Sequence, residues 1–300
     1  MDNRYLVILW MVMLTSMACK DEIVNPESTP NPMNSNVEMN SDNSKVASIL
    51  QQLLTNYEPL PEKAISISSD STVFAQYALP TTRYRHGILG DDIEAGQLVV
   101  VMEDTFYEFI LAEDYVYEDI RPRLYDVDAD GQLEFITIRS HVSLGGGIAI
   151  YKIANNRLEE YAQVPEIGRS NRWLNIVEIN DVDNDGIVEL IWIETPHIGG
   201  TLKVANIQAG TLEVLSTAAQ YSNHAIGDRN LCLSVLTEQN GHKTFYVPTQ
   251  RRDKIIGFRL YNNQLRIVDE ITQTIDFSQT LLSQYEFDGV LLEENNCINP

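Results

Sequence analysis

Apolar and polar positions divide this chain into three regimes. Residues 5 to 14 form an unbroken apolar run, too short to span a bilayer comfortably. Residues 20 to 45 carry Asn, Ser, Pro and acids, with few large apolar side chains apart from Met, and cannot offset their own ordering entropy. From residue 46 the pattern turns globular. Val46, Ile49, Leu50, Leu53 and Leu54 recur at helical spacing and predict a short amphipathic helix. Beyond them, short apolar runs rich in Val, Ile, Leu and Tyr are separated by Gly, Asn and Asp, which reads as strands and turns.

The strands repeat. Gly131, Gly186 and Gly241 are spaced 55 residues apart, each in a turn followed by a strand-like run. The flanks repeat as well: Gly146 to Ile153 matches Gly199 to Asn206 and resembles Lys254 to Leu260. Each is followed by a turn and a second strand. Four short strands at a fixed period of this size are the mark of a propeller blade. A blade cannot bury both faces alone, so several must stand together. The expected blades are residues 62–115, 121–164, 174–218 and 229–271. Residues 279–294 supply at most two strands of a fifth. The fold expectation is therefore all-β: a β-propeller of about five four-stranded antiparallel blades, one incomplete. The short N-terminal helix is a candidate cover for the gap.

Two of the repeated turns are acidic in the same way. Asp126-Val-Asp-Ala-Asp-Gly-Gln-Leu-Glu134 and Asp181-Val-Asp-Asn-Asp-Gly-Ile-Val-Glu189 both fit D-x-D-x-D-G-x-x-E. Alternate acids on a tight loop converge oxygens on one hard cation, and the Gly gives the turn its backbone freedom. An EF-hand would need Glu at loop position twelve and flanking helices. Thr137 and Trp192 stand there instead, between β-type runs. The third copy, around Gly241, has lost its carboxylates.

These loops, with the blade rhythm over residues 60–275, resemble the FG-GAP or VCBS-repeat propeller family, whose calcium loops join the first and second strands of a blade. The resemblance implies two Ca2+ sites. One takes side-chain oxygens from Asp126, Asp128, Asp130 and Glu134 and the Gln132 carbonyl. The other takes Asp181, Asp183, Asp185 and Glu189 and the Ile187 carbonyl. Segments such as His86-Gly-Ile-Leu-Gly-Asp91 and Pro196-His-Ile-Gly-Gly200 also resemble bacterial members of unassigned activity.

Charge and the N-terminus add a location. With 43 acidic and 21 basic residues the net charge is −22, a surface that repels nucleic acid and anionic lipid. Arg4, the apolar run and Ser16-Met-Ala-Cys19 look like a lipoprotein signal peptide over residues 1–18, although Ser16 stands where Leu is usual. Cys19 is then the lipidated residue, 19–45 a flexible tether and 46–300 the propeller. The expected place is the bacterial cell envelope, periplasmic or outer surface, with membrane contact through the lipid only. Cys232 and Cys297 are read as buried thiols, with a disulfide as the alternative open to an exported protein.

Strand alternation puts the acidic turns at one end of the blades and the other connections at the opposite end. That opposite end gathers His86, His141, His197 and His224 with Arg83, Arg121, Trp173, Asn175, Arg229 and Arg251. These are the candidate ligand-binding residues. The alternative is that they satisfy loop carbonyls and nearby acids. No G-x-S-x-G, P-loop or H-E-x-x-H is present. The chain reads as a non-catalytic module that binds a protein or glycan. The competing reading is an envelope hydrolase or lyase acting on a polysaccharide or phosphate ester with a His base.

Overall fold

In the computed structural model the described residues are 41–272, 286–287 and 290–291. The expected signal peptide, Cys19, most of the expected tether and Cys297 lie outside them.

Helix α1 spans Ser41–Asn56. It starts ahead of the expected boundary, at a Ser-Asp-Asn run of residue types that favour helix N-termini. Four antiparallel meanders follow: the first two are joined into one nine-stranded sheet by the pairing of Ala95 with Tyr117, and the last two are four-stranded. Sheet one is β1 (Ile65–Ile67), β2 (Val73–Thr81), β3 (Glu94–Met102) and β4 (Thr105–Ile110). Sheet two has β5 (Tyr115–Tyr117) and β6 (Arg123–Tyr125) side by side along β7 (Glu134–His141), then β8 (Gly145–Ala154) and β9 (Arg157–Val164). Sheet three is β10 (Leu174–Asn180), β11 (Val188–Glu194), β12 (Thr201–Gln208) and β13 (Thr211–Ala219). Sheet four is β14 (Val235–Gln239), β15 (His242–Pro248), β16 (Lys254–Tyr261) and β17 (Gln264–Thr272). The short strands β18 (Glu286–Phe287) and β19 (Val290–Leu291) pair only with each other.

The sheets stack face to face in chain order, as propeller blades do. Period-two alternation builds each layer. Phe135, Ala149 and Tyr151 of sheet two pack on Ala75, Tyr77, Leu98 and Val100 of sheet one. Their neighbours Ile136, Ile138, Ile148 and Ile150 pack the other way, on Leu174, Leu190 and Trp192 of sheet three. Ile191, Ile193, Leu202 and Val204 then meet Phe245, Ile256 and Phe258 of sheet four. The middle strands are buried on both faces and so read as nearly continuous apolar runs. The last strands, β4, β9, β13 and β17, are the exposed edges.

Among the described residues, no sheet lies on the outer face of sheet one. Helix α1 covers it: Ile49 and Leu53 are buried against Phe74, Ala78, Val99 and Val101, with Val46, Leu50 and Tyr57 alongside. Leu54, expected on that stripe, is 41 % exposed.

The first strand of sheet two departs from the expected single strand. It begins at Tyr115 and is split by Glu118–Pro122. Proline cannot donate to a ladder. Asp119 fills the break. Its Oδ2 accepts the Ile138 N–H at 3.0 Å, where a main-chain carbonyl would otherwise serve, and also accepts Tyr77 Oη and Arg123 Nη1.

Cys232 is disulfide-bonded, so the expectation of buried thiols is corrected there.

Leu53→Ala should cost about 2–5 kcal/mol, because the helix is the only described cover of that face. Urea unfolding of the variant measures it.

Candidate functional site

The acidic turns lie between β6 and β7 and between β10 and β11, and they are built alike. In the first, Asp126 Oδ1 accepts the Asp130 N–H at 3.1 Å and Oδ2 the Gly131 N–H at 3.0 Å. Asp130 Oδ1 accepts the Gln132 N–H, and Glu134 Oε2 reaches back to the Val127 N–H, each at 2.8 Å. In the second, Asp181 accepts from Asp185 and Gly186 at 3.0 Å, Asp185 from Ile187 at 2.8 Å and Glu189 from Val182 at 2.8 Å. Positions four and six are left-handed in both, with Ala129 and Gly131 at φ 58° and 85°, and Asn184 and Gly186 at 63° and 87°. Position six takes glycine, which adopts this region without a Cβ penalty, whereas Ala129 and Asn184 enter it at position four with a side chain in place.

These bonds occupy only part of each carboxylate set. Asp128 Oδ1, Glu134 Oε1, Asp183 Oδ1 and Glu189 Oε1 are buried without a hydrogen-bond partner among the described residues. Oxygens of Asp126, Asp128 and Glu134 lie within 4.8 Å of one another, as do those of Asp181, Asp183 and Glu189. Two ligands of one Ca2+ can stand at most about 5 Å apart, twice the metal–oxygen distance. The donor set is all oxygen, which suits a hard cation and no soft one. Burial, with neighbouring acids adding to it, raises Glu134 to about 7 and Glu189 to about 8. Asp183 is raised for the same reasons. A divalent ion would relieve all of this at once. The carboxylates of Asp130 and Asp185 fall outside the close groups and act as turn caps.

The opposite end of the sheets carries four of the five histidines, His242 standing at the start of β15 beside the Gly241 turn. His86 Nδ1 meets Glu118 Oε1 at 2.6 Å, and Ser140 Oγ donates to Glu118 Oε2. Glu118 is wholly buried, and desolvation raises its pKa against the opposing pull of His86. Its main-chain carbonyl accepts the Trp173 indole N–H at 3.0 Å. Trp173 stacks on His197, with ring planes 7° apart, and leans on His224 at 4.7 Å between centroids. His224 Nε2 lies 2.7 Å from the Asp228 carbonyl, so that nitrogen carries the proton and donates. Its Nδ1 is then an acceptor, and His197 Nε2–H donates to it at 3.0 Å. Burial holds His197 down at about 3 and His224 at about 4. Both are neutral near pH 7.

Several predicted ligand residues are engaged within the fold. Arg83 donates to the Tyr115 and Ala112 carbonyls. His141 Nδ1 accepts the Ser143 and Leu144 N–H groups, while Nε2 faces Asp114 at 3.4 Å. Arg229 binds Glu62 and Asp91, each at 2.6 Å. Asn175 is wholly buried and donates to the Asn223 and Leu231 carbonyls. Arg121 is half-buried, and Arg251 is exposed. Sequence reasoning missed Glu94, a buried acid raised well above the usual range by desolvation and by Glu118. It sits in a strand and shows no local motif.

No family model matches the chain, and no curated protein does. Solved structures with a related course include a periplasmic gluconolactonase of Pseudomonas aeruginosa, at 14 % identity over 69 % of this chain and 53 % of that one, with TM-score 0.41. Sqt1 of Saccharomyces cerevisiae matches at 13 % over 73 % and 52 %, with TM-score 0.42. A protein from Lactobacillus plantarum matches at 13 % over 72 % and 57 %, with TM-score 0.41. The chain thus spans little more than half the length of these proteins. At these scores the likeness carries no argument about activity.

Chelator-treated protein should melt roughly 5–10 °C below calcium-saturated protein, from about 2.7 kcal/mol per site at 100 times the dissociation constant. Scanning calorimetry reads this, and Asp128→Asn with Asp183→Asn should erase the difference. Because the folded pKa values of His197 and His224 lie below the unfolded one, the unfolded chain binds more protons between about pH 6.5 and 3. Stability should therefore fall as pH drops through that window. Urea titrations across pH should show a flatter acid limb in His197→Gln.

Proposed function

We propose that this chain is a calcium-stabilised β-propeller of the FG-GAP or VCBS type, lipid-anchored through Cys19 in the bacterial cell envelope, on the periplasmic side or the outer surface. It binds a protein or glycan ligand of anionic character at the end opposite the acidic turns. The observation that carries this reading is a polarity between the two ends. The acidic turns take one end. The other exposes Arg85, Arg169 and Arg251, interspersed with exposed acids such as Asp92, Glu113 and Asp253, on a protein of net charge −22. It also exposes Leu144 (40 %), Ile198 (62 %) and Ile226 (70 %) on its connecting loops. Apolar side chains at loop tips beside cations are what a partner surface needs. The Cys232 disulfide supports an oxidising compartment.

The second reading, a hydrolase or lyase, draws on one feature. His86 is oriented through Nδ1 by a buried carboxylate, and its Nε2 has no hydrogen bond among the described residues. That is how a general base is held.

The test uses a double variant, Arg251→Glu with Ile226→Asp, chosen because both side chains are exposed. Pull-down from solubilised envelope and glycan arrays should find ligands that the variant binds at least roughly tenfold more weakly, with an unchanged melting curve. Ligands bound equally by both proteins would sink the assignment of this end. Turnover on a polysaccharide or phosphate ester, lost in His86→Gln, would shift the reading to an enzyme.

A further inference from the structure

The two acidic turns share every internal hydrogen bond but differ in what the next strand sets beside them. In sheet two, Phe135 pairs with Tyr151, which brings Lys152 opposite Glu134. Lys152 Nζ lies 3.5 Å from Asp128 Oδ2 and 4.3 Å from the Tyr161 ring centroid. In sheet three, the residue paired with Glu189 is Asn206. Its Oδ1 is buried and has no hydrogen-bond partner, like Asp183 Oδ1 and Glu189 Oε1 beside it. Both outer strands bulge at the position of Tyr161, and Leu215 stands there in sheet three. A lysine also touches the second turn, Lys243, but through the main chain and not through a carboxylate of the turn. It donates to Asn180 Oδ1 at 2.9 Å and to the Asp181 main-chain carbonyl at 2.7 Å.

We propose that the two turns are unequal cation sites: a tight one at 181–189, with the Asn206 amide oxygen as an added ligand, and a weak one at 126–134, where Lys152 competes with the ion. This rests on the calcium reading above. One glutamate carries a buried acceptor into each site, Glu134 at 1 % exposure and Glu189 at 0 %, each with its Oε1 lacking a partner among the described residues. The difference is therefore not in the acids but in the neighbour. An ammonium beside Asp128 removes one unit of negative charge from the first ligand set and must withdraw when a divalent ion enters. A cavity of about 220 Å³, lined by Met102, Gln132 and Lys152 itself, gives it room to do so. In sheet three the same strand position offers an oxygen and no charge. Affinity in oxygen-ligand sites follows ligand number and charge, and one of each differs here. The first turn then loses its ion at calcium levels that leave the second filled.

The experiment is calorimetric titration of Ca2+ into the metal-stripped full chain. Two classes of site separated by roughly tenfold or more are expected. Asp128→Asn should remove the weaker and Asp183→Asn the tighter. Lys152→Met, which keeps the stem over Tyr161, should tighten the weaker site roughly tenfold and leave the other alone. Asn206→Leu should weaken only the tighter one. Equal affinities in the native chain, or constants indifferent to Lys152→Met, would overturn the inequality while leaving calcium binding intact. No heat at all, or heats unaffected by Asp128→Asn and Asp183→Asn, would overturn the calcium reading beneath it.

Discussion

Each sheet in this chain must bury two faces at once, and the rest of the architecture follows from that constraint. Phe135 and Ile136 are adjacent in sequence and pack in different cores, one toward sheet one and one toward sheet three. Ile191 and Trp192 divide in the same way between sheets four and two. No meander can satisfy such a pattern by itself. Stacking in chain order satisfies it for the inner sheets and leaves the terminal faces as a separate problem. Helix α1 solves that problem for sheet one. Blade-like stacking is thus a requirement of strands that are apolar on both sides.

Stacking also separates the two ends chemically. Where the first and second strands of a sheet join, the chain reverses in a few residues and fills its own hydrogen bonds. Where sheets connect, longer segments cross, and polar groups are carried inward. Glu118 is held by Ser140 and His86 and lends its carbonyl to Trp173. Asp119 takes donors from Tyr77, Ile120, Arg123 and Ile138. Such buried acids persist because their oxygens are satisfied. The four orphaned oxygens of the acidic turns stand out against that background.

Local features were legible in the sequence and distant ones were not. The equal spacing of Gly131, Gly186 and Gly241 marked the turns because a left-handed backbone there is a local requirement. The extent of sheet three, expected from the repeat at 174–218, is found at 174–219. The break in the first strand of sheet two was not legible, because it depends on an Asp119 carboxylate standing in for a backbone acceptor. The ion pairs of Arg229 depend on chain far away in sequence, as does the partner of each histidine nitrogen. Lys152 and Asn206 looked like ordinary strand residues until register placed them across from Glu134 and Glu189. Residue type at a loop is a local signal. What a neighbouring strand contributes to that loop is fixed only by pairing.

One contact joins parts of the chain that stacking order alone would keep apart. The Gly227 N–H donates to the Ile88 carbonyl at 2.9 Å, and Arg229 binds Asp91 across 138 residues of sequence. A Cβ on Gly90 would come within 2.8 Å of the Gly227 carbonyl, so this approach admits no side chain. An open solenoid can fray from either terminus, one unit at a time, because each unit touches only its neighbours. Here the segment entering the fourth sheet is latched to the first, so the first and fourth sheets are tied to each other as well as to their neighbours. A tie of this kind couples the opening and closing sheets, so a nick in the 222–231 crossover removes a contact from both.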